Sequence, residues 1–321
     1  MDAAVSGHAS LPRVPAALTA TLVRFFDEPG AAFVKALPAT VAELAQRWSL
    51  RLAPALAGAK TAFVAPCVRA DGTEAVLRVA YPEGVPGGEA AALRAWGGQG
   101  AVRLLESAPL HHALLIERCL PGTSLSAAHP PDEVLTIAAG LLTRLWRRGD
   151  ASGGYTTLAS LAEGRAAQAE ARRDSRPPGL DRLLVTEAIA LWRELPLGAA
   201  PVLLHADLHP RNVLAAAREP WLVIDPKPLL GDPAYEPVPL VLEAGGPSDT
   251  AASAARSPRQ AEEIGRRLRL VSSELGLESA RVAAWGVARS VDWALFLMAR
   301  GDAAGARRAA FEAGAFARAA N

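Results

Sequence analysis

The most informative segment of the chain is LLHADLHPRNVLAAAREPWLVIDP, which runs from Leu203 to Pro226. It contains two short apolar runs, each followed by polar side chains. Asp207 and Asn212 come after the first run, five residues apart, and Asp225 ends the second run, 18 residues after Asp207. Short apolar runs bounded by polar residues are typical of strands. We therefore expect these three side chains at the ends of neighbouring strands.

These residue types suit a divalent cation and a reacting hydroxyl group. Hard cations such as Mg²⁺ prefer oxygen ligands, typically one or two carboxylates together with phosphate oxygens. Asn212 and Asp225 supply such oxygens, which leaves the Asp207 carboxylate to orient a hydroxyl or accept its proton. Taken one at a time, Asp and Asn are also common turn and cap residues. Taken together, their spacing is that of a kinase catalytic loop followed by a metal-binding Asp.

Composition argues against several other classes of protein. The 321 residues carry a net charge of +1, so there is no broad basic surface for nucleic acid. No charge-free apolar run approaches the roughly 18 residues of a membrane helix, and the N-terminus lacks the pattern of a signal peptide. The two cysteines, Cys67 and Cys119, form no CxxC pair. This favours a reducing, cytoplasmic location without a disulfide framework.

The rest of the sequence separates strand patterns from helix patterns. The run TAFVAPCVRADGTEAVLRVAYP, Thr61 to Pro82, holds two apolar segments around Asp71-Gly72, a strong hairpin signal. Helical periodicity dominates from about residue 131 onward. We therefore predict an α+β protein with two lobes. The small β-rich lobe, with leading helices, is assigned to residues 1–119 and the larger helical lobe to residues 120–321.

The motifs HADLHPRNVL and VIDPKPLLGDPAYE resemble those of the aminoglycoside phosphotransferases, and more narrowly their streptomycin 6-phosphotransferase and hydroxyurea kinase branch. The resemblance extends from about residue 48 to residue 302. It implies a two-lobed protein-kinase-like fold and the use of Mg²⁺ with ATP or GTP. It also implies that Asp207 is the catalytic base and that Asn212 and Asp225 are the metal ligands.

The same resemblance places a phosphate-binding cation in the strand EAVLRVAYP, where the family has Lys and this chain has Arg78. Glu89, on the helix predicted for GGEAAALRAWGG, is expected to pair with that cation. Arg binds phosphate, even bidentately, but it is larger than Lys and not an equivalent replacement. Adenine is expected to bond to backbone atoms near Glu117 to Cys119, in the predicted connector LLIERCLPG.

A polyhydroxylated, cationic acceptor needs carboxylates that pair with its ammonium or guanidinium groups. Glu236 and Asp292 are predicted to contact such a substrate, and Glu243 and Glu274 are further candidates. For Glu236 the alternative is a favourable interaction with a helix dipole. For Asp292 the alternative is an ion pair with a structural arginine such as Arg289, because buried acids are usually paired.

The sequence therefore predicts a Mg-ATP-dependent phosphotransferase acting on a hydroxyl of an aminoglycoside, streptomycin-like by resemblance. Its partner is a small molecule rather than nucleic acid or a membrane. Two alternatives remain open. One is a kinase of an amino sugar or another metabolite, because the same fold hosts many acceptors. The other is a nucleotide-binding pseudokinase in which Arg78 has reduced turnover.

Overall fold

The computed structural model describes residues 12–82, 87–147, 154–246 and 257–320. Within these ranges the chain forms two compact units. The first contains the described residues up to Gly98 together with Val102–Arg118, and the second contains Gln99–Ala101 and the described residues from Cys119 onward. The first unit is built on a β-sheet and the second is mainly helical, so the predicted α+β class is confirmed.

A five-stranded antiparallel sheet is the centre of the first unit. In chain order the elements of this unit are α1 Ala16–Arg47, β1 Arg51–Leu52, β2 Ala62–Val68, β3 Glu74–Ala80, α2 Gly88–Trp96, β4 Leu104–Ala108 and β5 Ala113–Glu117. The strand order across the sheet is β1-β2-β3-β5-β4. Apolar residues of α1 and the sheet share one core, in which Leu22, Leu44, Phe63, Leu77 and Leu115 have no exposed surface.

The turn at Asp71-Gly72 joins β2 and β3, as predicted. Gly72 has a φ of +85°, a left-handed conformation that glycine adopts without steric cost. Oδ1 of Asp71 accepts the backbone N–H of Thr73 at 2.9 Å. The resulting register pairs Val64 with Arg78, so this turn determines which position of the sheet carries Arg78.

Helices form most of the second unit, and its strands are short. In chain order the elements are α3 Leu125–Ala128, α4 Pro131–Leu145, β6 Thr156–Thr157, α5 Leu158–Arg172, α6 Arg182–Glu194, β7 Val202–Leu204, β8 Val213–Ala215, β9 Trp221–Val223, β10 Leu229–Gly231, α7 Val238–Glu243, α8 Pro258–Leu275, α9 Ser279–Ala299 and α10 Ala303–Ala319. A 3₁₀ turn, Pro233–Tyr235, precedes α7.

The short strands position the polar residues of the quoted stretch. β10 lies between β6 and β7 and is antiparallel to β7, so that Leu204 pairs with Leu229. β8 and β9 form a two-stranded hairpin in which Val213 pairs with Val223. The loop that carries Asp207 therefore begins where β7 ends, at the strand end that the sequence pattern predicts.

α9 is a core helix of the second unit. Trp285, on α9, is fully buried, and the ring of Trp192 packs edge-on against it with 5.4 Å between centroids. The indole N–H of Trp192 donates to the carbonyl of Ala288 at 3.1 Å. Among the described residues, α9 alone is long and apolar enough to span a membrane, but 67% of its apolar window is buried inside the protein. Packing in the core therefore accounts for its hydropathy.

Gly286 allows α9 and α10 to pack closely. A Cβ at this position would lie 2.4 Å from the ring of Phe316, which is fully buried. We expect Gly286→Ala to lower the free energy of unfolding by about 1–3 kcal/mol, because the buried ring must shift.

Gly164 on α5 provides the matched control. A Cβ there would meet no described atom within 4 Å, so Gly164→Ala should raise the free energy of unfolding by up to about 1 kcal/mol through helix propensity. Urea unfolding of both variants makes the comparison. Equal effects of the two substitutions would contradict the packing argument.

Candidate active site

A buried carboxylate holds the loop that carries Asp207. Glu236 has no solvent-exposed surface. One of its oxygens accepts the backbone N–H of His205 at 2.8 Å, and the other accepts that of Ala206 at 2.6 Å. Hydrogen bonds to a charged acceptor are roughly twice as strong as those between neutral groups. The carboxylate therefore fixes the backbone immediately before Asp207.

The ring of His205 connects this loop to the segment after β9. Nδ1 of His205 accepts the backbone N–H of Asp207 at 3.3 Å, so the proton is assigned to Nε2, which donates to the carbonyl of Ile224 at 2.9 Å. Complete burial lowers the pKa of His205 to about 4, which keeps the ring neutral near pH 7. The carbonyl of His205 accepts the N–H of Lys227 at 2.8 Å and adds a second connection.

Two residues with side chains adopt left-handed backbone conformations in the site. The φ angle is +62° at Ala206 and +57° at Asp225. Such conformations cost of order 1–3 kcal/mol each and persist only where surrounding contacts impose them. Glu236 imposes the conformation of Ala206 through its hydrogen bond. The loop thus has a strained shape of the kind that occurs at functional sites.

Asn212 and Asp225 lie at the same end of the β8–β9 hairpin. Asn212 directly precedes β8, and Ile224 and Asp225 directly follow β9. The N–H of Ile224 donates to the carbonyl of Asn212 at 2.9 Å, which closes this end of the hairpin. Nδ2 of Asn212 donates to the carbonyl of Asp207 at 3.1 Å. The side-chain oxygen of Asn212 is therefore the atom left for a cation.

This donor set fits Mg²⁺ that arrives with a phosphate-bearing ligand. The part of the chain that the structure describes contains no group of three or more His, Cys, Asp or Glu side chains able to enclose a metal. Mg²⁺ commonly takes only one or two carboxylates from a protein and completes its shell with water and phosphate oxygens. One amide oxygen from Asn212 and the carboxylate of Asp225 match that requirement.

Lys227 is a site residue that the sequence did not predict, although it lies within the IDPKP motif. Its Nζ is 3.0 Å from Oδ1 of Asp225, and both side chains are about one-third exposed. The ammonium group therefore neutralises the carboxylate that we assign to the metal. The signal in the sequence was a lysine two residues after the metal-binding Asp, held between Pro226 and Pro228.

The surroundings of Asp207 make it bind a proton more tightly than an ordinary Asp. Burial raises the pKa of Asp207 to about 6, and the negative charge of Asp225 acts in the same direction. The positive charges of Arg289 and Lys227 oppose this shift. A carboxyl group with a pKa close to the working pH is well suited to accept a proton from a reacting hydroxyl.

Glu236 is enclosed by the loop that it binds, and its predicted contact with a substrate stays a prediction. Its carboxylate is fully buried, and both of its oxygens are bonded to the backbone of the Asp207 loop. Burial raises the pKa of Glu236 to about 7, while the two backbone N–H groups and Arg289 act in the opposite direction. The sequence shows Glu236 close after Pro233 but does not show which loop folds against it.

Asp292 is also part of the interior, in agreement with the alternative that the sequence left open. Its side chain is 9% exposed and pairs with Arg165 at 2.9 Å. Arg289, the partner expected, instead donates to the carbonyl of Tyr235 at 2.8 Å and lies over its ring. Burial raises the pKa of Asp292, and the charge of Arg165 opposes this. The substrate contact of Asp292 stays a prediction.

Asp232 ties the segment after β10 to the core helix α9. Its Oδ1 accepts the N–H of Ala234 at 2.9 Å, which caps the 3₁₀ turn before Glu236. Its Oδ2 accepts from Nε of Arg281 at 2.8 Å and from the indole N–H of Trp285 at 2.7 Å. With both oxygens engaged, this buried carboxylate positions the turn that presents Glu236.

In the first unit, Arg78 of β3 and Glu89 of α2 form the ion pair that the sequence predicts. Only 6% of the Arg78 side chain is exposed, compared with 22% for Glu89. Arg78 therefore points inward rather than lying on the surface of the strand, and its partner restricts where the guanidinium group can lie. The role of the pair towards a nucleotide stays a prediction.

Glu117 is the last residue of β5, and Cys119 follows two residues later. The N–H of Glu117 donates to the carbonyl of Arg103 at 2.9 Å, and its carboxylate accepts the N–H of Arg103 at 3.0 Å. The N–H and the carboxylate of Glu117 are therefore both hydrogen-bonded within the first unit. Adenine binding by the backbone near Cys119 stays a prediction.

We expect Glu236→Gln to destabilise the Asp207 loop, because an amide side chain has one acceptor oxygen for two backbone N–H groups. The free energy of unfolding should fall by about 2–3 kcal/mol. Urea unfolding measures the change, with Glu187→Gln, an exposed position on α6, as the matched control. A Glu236→Gln protein as stable as this control would show that the carboxylate is not needed to hold the loop.

Known proteins are similar to this sequence over most of its length. The family model described as aminoglycoside/hydroxyurea antibiotic resistance kinase matches residues 47–301. A hydroxyurea phosphotransferase from Kitasatospora aureofaciens is 39% identical over 294 residues, which cover 91% of this chain and 82% of that protein. A streptomycin 6-kinase from Streptomyces glaucescens is 35% identical over 294 residues, which cover 92% of this chain and 94% of that protein.

The fold also matches solved kinase structures. A choline kinase from Streptococcus pneumoniae superimposes with a TM-score of 0.57 over 86% of this chain and 98% of that chain. The sequence identity of this pair is 14%, so the match shows the fold alone, and it confirms the predicted kinase-like fold. Because the family model spans residues 47–301 and the two relatives cover nearly the whole chain, the protein belongs to the aminoglycoside/hydroxyurea antibiotic resistance kinase family.

Proposed function

We propose that this protein transfers the γ-phosphoryl group of a Mg²⁺-bound nucleotide, ATP or GTP, to a hydroxyl group of a streptomycin-like aminoglycoside. The main support for the proposal is the loop held by Glu236. In this loop the backbone carbonyl of Asp207 accepts a hydrogen bond from the side-chain amide of Asn212, and the charge of Asp225 acts on the Asp207 carboxylate. Family membership supports the use of a nucleotide and a divalent metal ion. The streptomycin 6-kinase relatives support the choice of acceptor.

In this proposal Asp207 acts on the acceptor hydroxyl. Its carboxylate accepts the hydroxyl proton as the hydroxyl oxygen bonds to the γ-phosphorus and the bond from that phosphorus to the departing nucleoside diphosphate breaks. Asn212 and Asp225 hold Mg²⁺, which when bound reduces the negative charge on the phosphates. Most of the rate enhancement then comes from positioning and from charge neutralisation.

The first unit contributes nucleotide binding. Arg78, kept in place by Glu89, binds phosphate oxygens in the role that the family resemblance gives to a lysine. A guanidinium group offers two parallel donors to a phosphate, so the replacement is compatible with binding but changes the geometry. Backbone atoms near Glu117 and Cys119 bind the adenine ring. The boundary of the nucleotide-binding lobe then falls near residue 119.

The partner of this enzyme is a small, polyhydroxylated molecule, and the reaction takes place in the cytoplasm. The net charge of +1 supports a small-molecule partner over nucleic acid. Cys67 and Cys119 are not joined in a disulfide, which agrees with a reducing compartment. Neither a nucleic acid nor a membrane is needed for the proposed reaction.

Hydroxyurea is a second candidate acceptor. The observation that favours it is the relative at 39% identity, which is named for that substrate. An amino sugar or other metabolite, and a nucleotide-binding protein without turnover, are the remaining alternatives. Direct assay separates all of them, because each acceptor gives a product of different mass and a pseudokinase gives none.

To test the proposed function, the purified protein is incubated with Mg-ATP and streptomycin. The amount of ADP released and the mass of the streptomycin product are then measured. We expect a mass gain of one phosphoryl group. Asp207→Asn should lower kcat by at least about 100-fold and retain nucleotide binding. The control Asp174→Asn, at an exposed carboxylate, should leave kcat unchanged. No mass gain on streptomycin, with transfer to hydroxyurea instead, would replace the acceptor; no transfer to either would refute the kinase proposal for these substrates.

The raised pKa of Asp207 predicts the pH dependence of the reaction. The proton acceptor is active when ionised, so kcat/KM for ATP should fall as the pH drops through about 6. Lys227 lowers the pKa of Asp207, so Lys227→Met should move this acidic limb to higher pH. A pH–rate profile of both proteins makes the measurement. A rate that is flat from pH 5 to pH 7 would contradict the assignment of Asp207.

A further inference from the structure

Three of the four carboxylates considered for a cationic acceptor have partners within the second unit. Glu236 accepts two backbone N–H groups. Glu243 pairs with Arg211 at 2.7 Å, and Asp292 pairs with Arg165 at 2.9 Å. A cationic group of an acceptor at Glu243 or Asp292 would share the carboxylate with the arginine that already pairs with it.

The charge around Asp292 also disfavours an ammonium or guanidinium group of the acceptor at this place. Arg165 bonds to Asp292 directly, and the positive charges of Arg172 and Arg289 act on the same carboxylate. Three arginines around one carboxylate leave a local excess of positive charge. Like charges at short range repel, so an uncharged part of the acceptor fits this region better than a cationic part.

Trp293 is exposed although most of α9 is buried, and Arg289 and Phe296 on the same face are partly exposed. Arg289, Trp293 and Phe296 follow one another at i, i+4 and i+7, which places them on one face. Trp293 is 46% exposed, more than any other aromatic side chain among the described residues. Apolar surface of this size on a core helix costs hydration free energy unless something covers it.

The face of α9 that carries Trp293 begins beside the segment that leads to Glu236. The guanidinium group of Arg289 lies over the ring of Tyr235, 4.0 Å from its centroid, and bonds to the Tyr235 carbonyl, directly before Glu236. Its charge acts on Asp207. Trp293 lies one helical turn further along α9, roughly 6 Å along the axis. Arg289 thus connects the segment before Glu236 to the face of α9 that carries Trp293.

The ring of Trp293 is held in a fixed orientation. It stacks on Phe296 with 5.2 Å between centroids and 17° between the ring planes. The guanidinium groups of Arg172 and Arg300 lie 5.9 Å and 5.7 Å from the centroid of Phe296. Together these side chains make an aromatic surface with hydrogen-bond donors beside it, which we name the Trp293 platform (Trp293, Phe296, Arg172 and Arg300).

We infer that the Trp293 platform binds an uncharged, hydroxylated ring of the acceptor, whose C–H face stacks on the indole while its hydroxyl oxygens accept from the flanking guanidinium groups. This rests on the proposed function, since it assumes a ring-bearing acceptor at Asp207. The platform thus selects acceptors by the presence of a second ring rather than by their positive charge. Trp293 is a specificity-determining residue in this account and takes no part in phosphoryl transfer.

The test compares Trp293→Ala and Trp293→Phe with the unaltered protein, by steady-state kinetics with streptomycin and Mg-ATP and by calorimetric titration with streptomycin. We expect Trp293→Ala to raise the KM and the Kd for streptomycin by about 3- to 10-fold. The KM for ATP and the thermal unfolding temperature should not change. Trp293→Phe keeps an aromatic face and should recover most of the affinity. The matched control is Leu183→Ala, which removes another exposed apolar side chain from the same unit and should change nothing.

The two measurements separate this inference from the proposed function. Streptomycin bound and phosphorylated equally well by Trp293→Ala would overturn the platform and leave the proposed function intact. Weaker binding by Trp293→Ala in a protein that binds streptomycin without phosphorylating it would support the platform and overturn the proposed function. A protein that neither binds nor phosphorylates streptomycin would overturn both.

Discussion

The second unit depends on one buried carboxylate that accepts two successive backbone N–H groups. Glu236 is fully enclosed, and its oxygens hold His205 and Ala206 in a conformation that an alanine adopts only under constraint. Removing such a carboxylate from water costs several kcal/mol unless hydrogen bonds replace the water. Here the replacement donors belong to the loop that carries Asp207, so the stability of the fold and the shape of the candidate site rest on the same contacts.

A chain of contacts extends this constraint through the second unit. Asp232 caps the turn before Glu236 and is itself anchored to α9 by Arg281 and Trp285. On the other side, His205 bonds to Ile224 and links the loop to the segment that carries Asp225. Hydrogen bonds thus connect the residues assigned to proton transfer and to metal binding to the same buried core. Such support by packed neighbours is what holds reacting groups in position.

The sequence predicted those features of the fold that are determined by residues close together in the chain. A short apolar run followed by Asp207 marks a strand end, and Asp71-Gly72 marks a turn, because neighbouring residues decide both. The partners of buried charges were not predictable in this way. Glu236 meets Ala206 across 30 positions, and Asp292 meets Arg165 across 127. Composition and periodicity indicate that such residues face the interior, but they do not indicate which distant segment lies against them.

Amide hydrogen exchange measured by NMR shows whether Glu236 holds the backbone of the Asp207 loop. The N–H groups of His205 and Ala206 should exchange as slowly as those of the buried strands. In Glu236→Gln their exchange should accelerate strongly, while amides in α10 keep their rates. If the amides of His205 and Ala206 exchange in the unaltered protein as fast as that of the exposed loop residue Ala217, the carboxylate does not constrain the loop and the account is wrong.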